Sequence, residues 1–396
     1  MPVLVLDNGA WTAKVGYATD NEPRIIPNCV IKAKNVRTRV FTGSQIDDCK
    51  DMSGLYYLLA FQKGYLTNWE VEKQVWDHVF GKDCFKVNFE ETTALVTEPF
   101  FNFLSVQEAM NEVLFEEYQF ASIYRTNAGY LSQYRHNKTS NKKHKCTLIV
   151  DTGFSFTHVV PYYNGKKVKG PIRRLTIGGK ILTNHLKEVI SYRQLMVMDE
   201  THVMNQCKED VCYVSQDFYH DMNIAKKRWP ENTVVRDYIL PDYTHIKRGY
   251  MRSAEESTGK AAGSEQIIRL NNERFAIPEL LFHPSDVGIQ ETGIPEAIVE
   301  SINATPTEMR PHFYGDILLT GGNCLLPGFK DRILKDVRSM APADYDINIR
   351  LPDDPITYSW HGGAQLAQTP DFKKLCVTRE QYEEHGPNIC EERFDV

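Results

Sequence analysis

Apolar residues along the chain fall into two kinds of run, short continuous blocks and spaced helical stripes. The first block, Val3-Leu4-Val5-Leu6, has the pattern of a strand buried on both faces. Asp7-Asn8-Gly9 then signals a turn, and Ala13 to Tyr17 resumes as a second strand. The same order returns at Thr147-Leu148-Ile149-Val150, followed by Asp151-Thr152-Gly153 and the strand Phe156 to Val160. A strand, an Asp-x-Gly turn and a second strand thus occur once in each half. This predicts two related lobes, each presenting a hairpin to a shared cleft.

Helical stripes lie between these blocks. Val71, Val75, Trp76, Val79 and Phe80 share one face. Ser105-Val106-Gln107-Glu108 has capping-box spacing ahead of Met110, Val113 and Leu114. Gly178-Gly179-Lys180 precedes a stripe through Leu182, Leu186, Val189 and Ile190. Strands alternating with helices predict an α/β protein with covered sheets. Three stretches, 136–145, 166–170 and 244–265, are polar enough to read as solvated surface loops, too short and aromatic-poor for a nucleic-acid platform.

Composition narrows the class. At 396 residues the chain exceeds one compact core, and its 42% apolar and 25% charged residues are ordinary for a soluble globular protein. No stretch approaches the roughly 18 apolar residues of a membrane helix, and the start lacks a signal-peptide pattern. Nine cysteines without a C-x-x-C pair read as reduced thiols of an intracellular protein, not a zinc site. A net charge of -6 argues against nucleic-acid binding by the whole surface.

The candidate chemistry sits at the two turns. Backbone amides of an Asp-x-Gly turn donate to phosphate oxygens, while the carboxylate holds a hydrated magnesium ion. Two such hairpins would clamp a nucleotide's phosphates from both lobes, with Lys14 as a point charge. A single Asp-x-Gly is usually an ordinary turn; one per half, each after a buried strand, is more specific. Asp316 to Thr320 reads as a strand, followed by Gly321-Gly322-Asn323 and a helix start near Phe329. Backbone can approach a phosphate or sugar there, although taken alone the glycines serve a tight connection equally well.

These residues carry a family resemblance. LVLDNGAWTAKVGYA, GYLTNWEVEKQVWDHVF, LIVDTGFSFTHVVPYYNG, KEDVCYVSQDF, NERFAIPELLFHPSDVGIQETGI, LLTGGNCLLPGFKDRI and ITYSWHGGAQLA together resemble actin along nearly the whole chain. The details are closer to the actin-related proteins of Swr/SRCAP-type chromatin remodellers than to conventional actin. The resemblance implies an actin-like two-lobed ATPase fold (the sugar-kinase and heat-shock type) with a central nucleotide cleft. Its first lobe would span 1–147, with 352–396 returning to it and a small outer subdomain at about 29–64. The second lobe would span 148–351, with an outer subdomain at about 178–289. ATP or ADP with magnesium is the implied ligand. By matching position, Asp7 and Asp151 would hold magnesium through water. Asn8, Gly9, Lys14 and Gly153 would lie at the phosphates. Lys208 and Glu209 would contact adenosine, and Gly321, Gly322 and Asn323 would surround the nucleoside. Without the resemblance, Lys208 and Glu209 read as an exposed helix face.

Departures from actin shape the functional expectation. Counting on from LFEEYQF puts Ala128 where actin has the glutamine that orients the attacking water, with Asn127 beside it. His158 matches a second residue near that water, and reads equally well as a satisfied core histidine. Phe154-Ser155 replace an Asp-Gly pair after the second turn, and Ala10 replaces a serine in the first. Nucleotide binding that is loose, static or absent stays open; efficient hydrolysis is not expected, since phosphoryl transfer depends on positioning. The segment 37–63 is shorter than actin's and lacks its filament-contacting sequence, so no homo-filament is expected. The resemblance implies a noncatalytic subunit of a histone-exchanging remodeller, partnered by its motor subunit and a HIT-type zinc-finger protein. It also implies indirect contact with chromatin, a role at heterochromatin and a nuclear location with some cytoplasmic pool. Lys142-Lys143-His144-Lys145 and Lys226-Lys227-Arg228 are short as import signals, so entry with a partner is one route. An actin-like ATPase and a cytoskeletal filament protein are the competing readings, with DNA binding through 136–145 and 166–169 a weaker one.

Overall fold

A computed structural model describes all residues except 34–39, 50–54, 141–143, 261–262 and 264. The expectations for segments 37–63, 136–145 and 244–265 and for Lys142-Lys143 lie partly outside the described residues. The predicted duplication is present. In one sheet Val3–Asn8 pairs antiparallel with Thr12–Tyr17 and parallel with Thr93–Thr97, which continues to Ser122–Thr126. In the other, Cys146–Thr152 pairs antiparallel with Thr157–Tyr163 and parallel with Ile317–Thr320, which continues to Ile349–Arg350. Each sheet is therefore a hairpin fused to parallel strands. The continuous apolar runs are needed because both faces are covered: Val5, Val15, Leu95, Leu148 and Val150 are fully buried.

Each sheet anchors its own apolar core. Residues from Trp360 to Phe394 pack into the first core, and Val377–Thr378 adds an edge strand beside Ser122–Thr126. Two small three-stranded sheets lie further out, Val40–Thr42 with Cys29–Ala33 and Leu55–Leu59, and Tyr250–Met251 with Arg236–Ile239 and Ile267–Leu270. All nine cysteines are free, seven of them buried among packed side chains and none in a disulfide. No helix among the described residues is long and apolar enough to cross a membrane.

The helix Trp69–Phe80 forms as its stripe predicts. The Asn68 side chain accepts from the Val71 amide at 3.2 Å, and Val71, Val75, Trp76, Val79 and Phe80 are buried. Burial of each large side chain stabilises by about 1.5–3 kcal/mol. The capping-box reading of Ser105 is not realised. That helix runs Leu104–Glu112 with Phe103 at its N-cap position, so Ser105 lies inside the first turn. Its entry is fixed instead by Asn102, which donates to Glu98 at 2.6 Å and accepts from Gln107 at 3.1 Å.

The stretch 136–145 also departs from a purely solvated loop. The helix Ala128–Thr139 includes His136, which is buried and lies 2.9 Å from Asp316 Oδ1. Burial raises the Asp316 pKa, but hydrogen bonds from His136 and Thr147 and the His136 charge outweigh it and hold the carboxyl low. The Arg350 Nε, 3.5 Å from the same carboxyl, completes a polar link between the lobes.

Candidate functional site: the cleft between the hairpins

A cavity of about 530 Å³ opens between the two hairpins, and every sequence-derived site residue lines it. Register explains why. Asp7 stands opposite Lys14 across the first hairpin, and Asp151 stands opposite His158 across the second. Both carboxylates lie at the ends of strands with parallel neighbours, where an α/β sheet opens to ligand. The duplicated position opposite the aspartate thus carries a cation in one lobe and an imidazole in the other.

Asp7 is held on both oxygens. Thr97 Oγ1 donates to Oδ1 at 2.8 Å, Ser359 Oγ donates to Oδ2 at 2.8 Å, and Lys14 Nζ lies 3.5 Å from Oδ2. Asp151 has a different environment. Removal from solvent and, secondarily, the charge of Asp7 push its pKa up to about 6, against the opposing pull of Lys14. His158 is settled by its surroundings. It packs between Phe100 and Phe156, with ring centroids 5.0 and 4.3 Å away, and burial pushes its pKa down to about 3. It is neutral at physiological pH, lines the cavity, and its Nε2 has no protein partner. It is therefore not a satisfied core histidine.

Asn8 borders the cavity but spends its side chain inward, donating to Glu72 Oε1 at 2.7 Å and accepting from Asn28 at 3.1 Å. Gly153 is fixed by its carbonyl, which accepts from the Gly179 amide at 3.0 Å and from Asn323 Nδ2 at 2.8 Å. Lys208 is not on an exposed face, as the sequence alone suggested. It is 5% exposed, its ammonium donates to Asn205 Oδ1, Thr183 Oγ1 and the Gly179 carbonyl at 2.9–3.4 Å, and burial lowers its pKa. Glu209 is exposed and accepts from Asn205 Nδ2 at 2.8 Å. Thr97, Ser359, Glu72 and the aromatic residues Trp11, Phe100 and Phe156 were not expected at the site. Only the strand-end position of Thr97 offered a signal.

At the position where the resemblance places a water-orienting glutamine, no side-chain amide reaches the cavity. Ala128 lines the cavity with a methyl group. Asn127 is 1% exposed, donates to the Glu98 carbonyl at 3.0 Å and accepts from Lys167 at 3.2 Å, so it faces away from the cavity it borders in sequence.

The profile of the family described as Actin matches residues 1–395. The chain belongs to the actin family. It is 47% identical over 392 residues to Actin-related protein 6 of Drosophila melanogaster, covering 97% of each chain. It is 34% identical over 461 residues to Actin-related protein 6 of Dictyostelium discoideum, covering 99% of this chain and 94% of that one. It is 35% identical over 422 residues to Actin-related protein 6 of Oryza sativa subsp. indica, covering 99% and 98%. The relatives are thus actin-related proteins, and the α/β fold with its two sheets is the actin fold.

An actin-family cleft implies a nucleotide with a divalent metal, and the residues present fit both. Lys14 supplies a cation, Gly322 borders open space, and the orphaned His158 Nε2 can hydrogen-bond a ligand or water. Asp7 Oδ1 accepts a single protein hydrogen bond, leaving a lone pair for a water of a hydrated ion. Magnesium, when bound, neutralises phosphate charge; Asp7 and Asp151 would hold its water shell. Metal binding would also favour the ionised form of Asp151.

One titration near the site is testable. Glu72 is fully buried, and burial pushes its pKa up to about 7 against the hydrogen bond from Asn8. The folded chain keeps a proton that the unfolded chain releases from about pH 4.5 upward, so stability falls as pH rises to about 7 and then levels. The loss is about 3 kcal/mol. Glu72→Gln, which keeps the acceptor for Asn8, is expected to remove this component. Urea midpoints of both proteins from pH 4.5 to 8 check it: their difference should grow with pH, and a constant difference rejects the buried-carboxyl account.

Proposed function

We propose that the chain is a noncatalytic structural subunit of a Swr/SRCAP-type chromatin-remodelling complex that exchanges a variant histone. The observation that carries this reading is an actin-family cleft whose hairpin carboxylates and lysine are kept while alanine replaces the glutamine expected to orient water. Asp7, Lys14, Asp151 and the glycine turns remain, so ATP or ADP with magnesium is the ligand class. Ala128 has no polar atom to orient water, and Asn127 is committed to Glu98 and Lys167. An attacking water without that glutamine forfeits much of the rate, because phosphoryl transfer relies on geometry and charge. The name shared by the relatives, actin-related protein 6, supports an actin-related protein, and the remodeller role is proposed on the family resemblance. In this reading the partners are the motor subunit and a HIT-type zinc-finger subunit, with chromatin and heterochromatin reached indirectly. The location is nuclear with some cytoplasmic pool, and the chain is a monomer within its complex, not a homo-filament.

Affinity purification of the tagged chain from nuclear extract tests the assignment. Near-equal recovery of a remodelling motor and a HIT-type protein is expected; recovery alone or with cytoskeletal proteins overturns it. The second reading, an actin-like ATPase, is favoured by the paired aspartate hairpins. Purified protein with magnesium and ATP is expected to release phosphate no faster than an Asp151→Asn variant. A rate that depends on Asp151 would restore the enzyme reading.

A further inference from the structure

Five aromatic rings and one arginine join the lobes beside the cleft. Trp11, just past the first turn, stacks on Phe154, at the second turn, with centroids 4.7 Å apart and planes 25° apart. Trp11 also meets Tyr57 of the first lobe's outer sheet at 5.7 Å. Two residues beyond Phe154, the ring of Phe156 lies directly on Gly64, which sits at φ +77° in the turn between Phe61–Gln62 and Tyr65–Leu66. A Cβ at position 64 would fall 1.8 Å from a ring carbon, so only glycine admits this contact. Arg174, from the strand Arg173–Leu175 paired with Thr157–Tyr163, lies 4.2 Å from the Tyr65 ring centroid and 4.9 Å from that of Phe156. It donates to the Lys63 carbonyl at 2.7 Å and to the Tyr65 hydroxyl.

These contacts pair second-lobe side chains with side chains and backbone of the first lobe. Trp11, Tyr57, Gly64 and Tyr65 come from the first lobe, and Phe154, Phe156 and Arg174 from the second. Phe154 and Trp11 both line the cavity, so the stack forms part of the wall at the hairpin end. Aromatic stacking, cation–π contact and a charge-assisted hydrogen bond each add cohesion beyond buried area.

We propose that this aromatic clasp holds the two lobes closed without nucleotide or metal. Lobe closure, which a bound metal–nucleotide would otherwise stabilise by contacting both hairpins, is built into the chain. The clasp suits a subunit that presents a fixed shape, but it does not rest on the remodeller assignment and stands or fails separately from it.

Hydrogen exchange on the purified full chain tests it. Amide protection is measured across 61–66 and 152–156, first with ADP and magnesium, then after phosphatase treatment and chelation. Wild-type protection is expected to change by less than about twofold on stripping, since the clasp needs no ligand. Phe154→Ala, which removes one ring of the stack, is expected to exchange about tenfold faster in these segments when stripped. Opening of the wild type on stripping overturns the proposal, as does a folded Phe154→Ala that stays as protected as wild type. Small-angle scattering of stripped wild type gives a second readout if the variant fails to fold. An unchanged radius of gyration supports closure, and an increase to an open form rejects it.

Discussion

Gly321→Ala is expected to destabilise the protein by about 3–5 kcal/mol, from backbone strain and overpacking together. Gly321 follows the strand Ile317–Thr320 at φ +94° and ψ 163°, a conformation that side-chain-bearing residues rarely adopt. A Cβ there would lie 2.2 Å from the Thr152 carbonyl oxygen and 2.6 Å from its carbon, both backbone atoms that cannot rotate away. Thr152 directly follows Asp151, which pairs with Thr320 across the sheet. Room for a methyl group must therefore come from parting the strands at Asp151 itself, so the variant should lose nucleotide binding along with stability. The adjacent Gly322 gives the control, because a Cβ at that position meets nothing within 4 Å. Gly322→Ala should shift stability by no more than about 0.5 kcal/mol. Guanidinium midpoints of the two variants decide the matter; similar losses would show that the close approach to Thr152 is not what selects glycine.

The second large effect is expected behind the cleft wall. Arg125 and Glu98 form an ion pair with side chains 0% and 1% exposed. Glu98 also accepts from Asn102 at 2.6 Å, and the Arg125 guanidinium lies 5.2 Å from the Phe394 ring centroid. Arg125→Met leaves a carboxylate stranded in the interior and is expected to cost about 3–5 kcal/mol. Because Glu98 lines the cavity, its uncompensated charge should also weaken nucleotide binding. Adding Glu98→Gln removes the stranded charge and should recover most of the stability. A double variant no more stable than Arg125→Met alone would place the loss in packing against Phe394 instead. Denaturant midpoints of the three variants separate these outcomes.

The hairpins were legible in the sequence because their signals are local. A continuous apolar run requires cover on both faces, and an aspartate followed by a glycine ends it wherever the chain must turn. Val3 to Asn8 and Cys146 to Thr152 therefore announced themselves, and with them Asp7 and Asp151. The helix Trp69–Phe80 was equally plain, since its stripe matches the helical period. The Ser105 spacing misled because a capping box fixes a helix start only when nothing stronger does. Here Asn102, tied to Glu98 and Gln107, sets the entry two residues earlier.

What the amino-acid order determined by itself was the duplicated α/β plan, the hairpin residues that line the cavity and the alanine at position 128. Tertiary structure alone decided what the polar side chains do. Lys208 carries a charge on a helix, so its pattern reads as exposed; the acceptors that bury it come from Gly179 and Thr183 on another helix as well as Asn205 on its own. His136 reads as part of a basic loop, yet its partner Asp316 lies 180 residues away. Trp11 and Phe154 are ordinary residues singly, and meet only because two hairpins far apart in sequence face one cleft. Periodicity reports which side of an element is covered, not which distant group covers it. Charge, tautomer and closure depend on that distant group, so they were fixed only when the lobes packed.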